Sequence, residues 1–189
     1  MPATWDGTAK TWSTGELVTA ALLNTELRDR MEYLEDLLAA NNYVLIRDQQ
    51  TSGTDGGTFT NGAWRTRVLN TEVSDTGSLA ALSSNQVTLA AGTYLFRGVA
   101  PAGPVGHHQA RLQNVTDGAT LLTGMSSQST AGALSGTNAE VRGIFTIAAG
   151  KALELQHRCQ TTAATNGLGV AASYDLEVYA VAEFIRIGD

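Results

Sequence analysis

The residues best equipped for chemistry are few and scattered. His157 and Cys159 stand two apart in "ALELQHRC", on the same side of a candidate strand as Leu153 and Leu155. Together they are half of a metal site, and two further ligands would have to converge from elsewhere. Otherwise they are core residues. His107 and His108 are adjacent, so in a strand they point to opposite faces and cannot chelate together. "GTDGGTFTNG" at 53–62 is glycine-rich but lacks the Lys-Ser/Thr ending and the following helix of a phosphate-binding loop. Asp175 and Glu177 are two carboxylates at a strand edge, with no second acid tied to them by sequence as glycoside cleavage needs. Neither a G-x-S-x-G elbow nor an HExxH pair occurs. The expectation is a non-enzyme with no catalytic, cofactor-binding or metal residues and no cofactor.

Charge and length narrow the classes further. The 189 residues carry 12 basic and 18 acidic side chains, a net charge of −6. Residues 1–40 hold seven acids and three bases, so most of the imbalance lies at the front. No basic patch of the kind a phosphate backbone requires is visible, which argues against nucleic acid as a partner. Cys159 is the single cysteine, which rules out an intrachain disulfide. "MPATWDGTAK" has neither the charged start nor the apolar run of a signal peptide, and no stretch suits bilayer insertion. Synthesis in a reducing cytoplasm is expected. In that compartment the "NVT" sequon at 114–116 has no meaning.

Three regions separate by pattern. Residues 1–18 are polar and aperiodic and read as an extended arm, in which Trp5 and Trp12 are candidate anchors for a partner's pockets. Residues 19–42 read as a helical stem, with Thr19 as N-cap and "ANN" at the end. From residue 43 to 189, short β-branched and aromatic runs alternate with Gly, Asn, Asp and Ser clusters. Ten candidate strands, among them "WRTRVLNT", "LGVAAS" and "DLEVYAVAEFIRI", predict a mainly β fold: an antiparallel jelly-roll sandwich.

The stem carries a heptad pattern. Ala20, Leu27 and Leu34 fall at d, Asn24, Met31 and Leu38 at a, Arg30 at g and Glu35 at the following e. Glu26, Asp29, Glu32 and Asp36 make the opposite side wet. A helix of about 30 Å is marginal alone, so its seam needs cover, either from its own β domain or from sister helices. The last strand points the same way. Strict alternation places Leu176, Val178, Ala180, Ala182 and Phe184 on one face and Tyr179, Val181, Ile185 and Ile187 on the other, broken by Glu183. Two apolar faces predict two coverings: the sandwich interior and, for Tyr179, Val181, Ile185 and Ile187, a neighbouring subunit.

The opening "TWSTGELVTAALLNTELRDRMEYL" resembles the N-terminal segment of tailed-bacteriophage fibre and virion-associated proteins. "GAWRTRVLNT", "LAAGTYLFRGVAPA", "HQARLQNVTDG" and "LELQHRCQTTAATNGLGVAA" resemble the phage domains with a tumour-necrosis-factor-like jelly roll. The resemblance implies a homotrimer of jelly rolls on a short coiled-coil stem, serving as a head fibre, capsid decoration or tail fibre subunit. Residues 1–40 would dock on a capsid or tail protein of the virion, and the β head would face a host surface glycan or protein. Two alternatives stay open: a polysaccharide depolymerase on a phage appendage, and an assembly factor absent from the finished particle.

Overall fold

A computed structural model describes residues 11–28, 30–32, 34, 42–130 and 136–188. The chain divides into two compact units, residues 1–41 and 42–189.

In the second unit, eleven strands form two antiparallel sheets. Five pair in the order β3 (Thr71–Asp75), β1 (Tyr43–Gln50), β11 (Glu177–Gly188), β6 (Gly92–Ala102) and β9 (Thr137–Ile147). The second sheet runs β4 (Ala80–Ser83), β5 (Gln86–Leu89), β10 (Lys151–Cys159), β7 (His107–Asn114) and β8 (Ala119–Gln128), and the short β2 (Arg65–Thr66) also pairs with β10. Successive strands cross between the sheets instead of pairing as hairpins alone, which makes the sandwich a jelly roll. The core follows from period-two burial. Tyr94 and Phe96 of β6, Phe145 of β9 and Phe184 of β11 point inward to meet Leu112, Leu153 and Leu155 from the other sheet. Phe96 and Phe184 pack at 4.8 Å and Phe145 stands edge-on to Phe184 at 6.5 Å, geometries that add to the burial of the rings.

Three sequence expectations need correction here. "LGVAAS" is a loop. Its amides are taken by side chains and turns rather than a ladder: Ala171 N–H donates to Asp55, and Ala172 and Ser173 donate to the Glu177 carboxylate. "WRTRVLNT" contributes the two residues of β2 and Thr71, the first of β3, while "TEVSD" and "AALS", too short to stand out, form β3 and β4. The third concerns β11. Asp48 pairs with Ala180 and Gln49 with Val178, so Tyr179 is an extra residue at a β-bulge. Below the bulge the faces exchange. Tyr179 is 4% exposed and turned inward within its own chain, and Val178 and Leu176 face out. Tyr179 is therefore not an interface residue.

The bulge closes over a buried cation. Arg67 is fully buried; its guanidinium donates to the carbonyls of Pro101 (3.1 Å), Leu168 (3.0 Å) and Tyr179 (3.4 Å), with Asp48 also buried nearby. Burial pulls its pKa down to about 10, opposed by the Asp48 charge, so it stays charged at neutral pH. It ties β6, the 160s loop and β11 together.

In the first unit Thr19 caps the helix, its Oγ1 accepting from Leu22 N–H. One turn, α1 (Ala20–Leu23), gives way to a π-helical turn over Asn24–Arg28, and helix resumes at 30–32 and 34. The expected uninterrupted heptad is thereby corrected. A wider turn inserts about one residue, rotating what precedes it by about 100°. Leu23 joins Asn24, Leu27 and Met31 along a surface groove. Arg30, assigned to an interchain pair, makes its ion pair with Glu26 one turn back. Glu35 and Leu38 lie outside the described residues.

Removing the Arg67 guanidinium while keeping its bulk leaves three carbonyls and Asp48 uncompensated. Arg67→Met should lower the unfolding free energy by about 3 kcal/mol in urea titration. A loss under about 1 kcal/mol would contradict this role.

Candidate functional site

The outward face of the five-stranded sheet carries the most unusual surface among the described residues. Across four strands, Tyr43, Ile185, Leu95 and Ile144 sit in one cross-strand row. Ile144 is 59% exposed, Leu95 42% and Ile185 39%. Leu45, Val181 and Val99 flank the row on the same face. Beside it runs a charged row: Glu183 opposite Arg97, which is opposite Arg142. Two arginines facing each other would repel. Each has its own acid, Arg97 at 3.7 Å from Glu183 and Arg142 at 2.6 Å from Glu140. The Tyr43 hydroxyl also donates to Glu183. The arrangement is an apolar stripe with a fixed pattern of charge beside it, suited to pressing against another protein surface in one register.

Of the residues the sequence assigned to an interface, Val181 and Ile185 lie on this face; Ile187 is exposed at a second irregularity of β11, between Arg186 and Gly188. Tyr43, Leu95 and Ile144 were missed. In "TYLFRGVA" and "RGIFTI" the apolar residues occupy both parities, the same signal that drew attention to β11. Trp12 is 44% exposed, while Trp5 lies outside the described residues.

The histidines occupy the sandwich interior at the Arg67 end. His108 Nδ1 and His157 Nε2 are 2.9 Å apart, and His108 Nε2 is 2.7 Å from Thr137 Oγ1. One proton order satisfies this chain at least cost: His157 Nε2–H donates to His108, and His108 Nε2–H donates to Thr137. The remaining ring atom, His157 Nδ1, has no partner and is then a bare acceptor rather than a stranded donor. Phe59 packs on the His157 ring at 4.7 Å. Burial, then the Arg67 charge, pushes His108 down to about 4 and His157 down to about 2, so both are neutral. Cys159 lies alongside, with burial raising its thiol pKa. His157 and Cys159 thus face His108 and Phe59, and the described residues bring no group of three or more His, Cys, Asp or Glu into metal-binding geometry. Asp175 caps the Leu176 amide; Glu177 accepts from the amides of Gly53, Ala172 and Ser173, which lower its pKa. Both carboxylates organise loops.

The fold class is now defined: a mainly β, antiparallel jelly roll. No family profile matches the chain, and no curated protein matches its sequence. Among solved structures it is similar to the globular domain of zebrafish complement 1qA (14% identity, 77% of this chain and 97% of that one, TM-score 0.48). Murine APRIL is similar as well (10% identity, 76% and 98%, TM-score 0.49). These likenesses concern the path of the backbone alone.

The neutral imidazole pair has a consequence for stability. Each ring's folded pKa lies below the ordinary value of about 6.5, so under that pH the unfolded chain binds protons that the folded chain refuses. Stability should be flat in these groups above neutrality and fall on acidification, by up to about 1.4 kcal/mol per pH unit for each ring. Urea midpoints between pH 6.5 and 5 should show this decline, and His157→Gln should reduce its slope. A level profile over that window would contradict the buried, uncharged pair.

Proposed function

We propose that the chain is a non-enzymatic structural subunit of a tailed-phage particle that works as a homotrimer. The apolar row Tyr43–Ile185–Leu95–Ile144 is the observation that carries this reading. Each large side chain fully covered there contributes roughly 1.5–3 kcal/mol, and in a three-fold ring the row of each copy would be covered by a neighbouring copy through a heterologous contact. The Arg97–Glu183 and Arg142–Glu140 pairs set the register of that packing and disfavour slipped alternatives. Leu27, Met31 and Leu34, each more than half exposed, form a second surface for the same partners along the stem.

The virion role rests on the resemblance of the front segment and the head to phage fibre and decoration proteins. Residues 1–40 would hold the capsid or tail, and the head would meet the host surface. A carboxylate pair poised to cleave a polysaccharide is the feature that a depolymerase would need, and Asp175 and Glu177 are spent on backbone amides. Mass spectrometry of purified virions tests the placement: recovery of this chain in stoichiometric amount supports it, and its absence favours an assembly factor.

Two double substitutions test the trimer. Leu95→Asp with Ile144→Asp should leave a folded head and reduce the sedimenting mass toward 19.8 kDa. Unchanged mass would remove the sheet face from the interface. Leu27→Asp with Leu34→Asp should lower the melting temperature of the assembly without changing the head's circular dichroism, and an unaltered melt would discount the stem.

A further inference from the structure

A second surface lies on the other sheet, facing away from the apolar row's sheet. A cleft of about 530 Å³, within the range of small-molecule sites, opens over β7, β8 and β10. Trp64 forms one wall. Its indole is fixed by Arg111, whose guanidinium lies 4.4 Å from the ring centroid and is itself held by Gln156 Oε1 and Thr120 Oγ1. The Arg111 charge is therefore committed to holding the aromatic plate.

The rest of the lining is polar and partly unclaimed. Ser126, opposite Gln109 on the outer face, offers a hydroxyl with no protein partner among the described residues. Gln109 donates to the Gly124 carbonyl and keeps its Oε1 open, while Gln160 accepts from His107 N–H and keeps its amide protons open. Arg158 reaches the cleft exposed and without an ion pair among the described residues. No lining residue is acidic, on a chain with six more acids than bases. An unpaired guanidinium in an acid-free cleft selects an anion; hydroxyls and amides with both donor and acceptor capacity select a polyol; an aromatic wall selects a ring with an apolar face.

We propose that this cleft binds an acidic saccharide, a sugar ring bearing a carboxylate, with Arg158 on the carboxylate, Trp64 against the ring, and Ser126, Gln109 and Gln160 on its hydroxyls. The inference deepens the adhesive role of the head and rests on that reading for its biological setting. A single site of this kind is weak, and copies on one assembly strengthen attachment through multivalency.

The test uses the full chain with D-galacturonate and D-galactose, a pair differing only at the carboxylate, followed by saturation-transfer NMR at neutral pH. Galacturonate should bind at least about tenfold more tightly than galactose, with an affinity that falls as salt rises. Arg158→Gln, an exposed change, should erase that preference, and Trp64→Ala should abolish transfer to both sugars, with Trp64→Phe retaining part of it. Equal binding of the two sugars, no transfer to galacturonate, or an Arg158→Gln protein that keeps the preference would overturn the site. Light scattering on the same samples separates the two proposals: a trimer that ignores the sugar removes the cleft alone, and a monomer that binds it removes the trimer alone.

Discussion

A sheet with apolar side chains on both faces must be covered twice. The five-stranded sheet meets this requirement on one side by packing Phe96, Phe145 and Phe184 against Leu112, Leu153 and Leu155. On the other side Tyr43, Ile185, Leu95 and Ile144 lie in register across four strands and reach the surface together. Isolated exposed apolar residues are ordinary; four aligned ones, with charges placed beside them, are a built surface. The second sheet has no such face. Its outer side carries Trp64 and its arginine, so the two sides of the sandwich differ in chemistry.

The inside of the sandwich is not uniformly apolar, and its polar end explains how the loops are held. Arg67 gathers carbonyls from Pro101, Leu168 and Tyr179, and the Tyr179 hydroxyl donates to the Thr54 carbonyl. Gly169, at φ +144°, lies against the Tyr179 ring so closely that a Cβ there would come within 2.1 Å of it. Buried polar groups of this kind contribute little net stability but penalise any arrangement that leaves them unpaired. They fix where the bulge in β11 falls, and hence which residues of that strand remain on the outer face.

Much of the fold was legible in the sequence because it rests on local pattern. β-branched and aromatic runs between Gly, Asn, Asp and Ser clusters identified the long strands, and Thr19 marked the start of the stem. The failures have a common cause in distant partners. Tyr179 keeps perfect alternation with Val181 and Ile185, and only the pairing of Asp48 and Gln49 on another strand creates the bulge that turns it inward. Arg67 looks like one more surface arginine, since its acceptors lie 34, 101 and 112 residues away. His108 and His157, separated by 49 residues, meet because β7 and β10 are neighbours. The outward apolar row was half visible: the doubled apolar parity of β11 was read, and the same signal in β6 and β9 was not.

The account stands on sister copies covering the outward face of the five-stranded sheet. Sedimentation equilibrium of the unaltered full chain at micromolar concentration reads this most directly. A single species of three times 19.8 kDa is the predicted result, and a homogeneous 19.8 kDa species would contradict it.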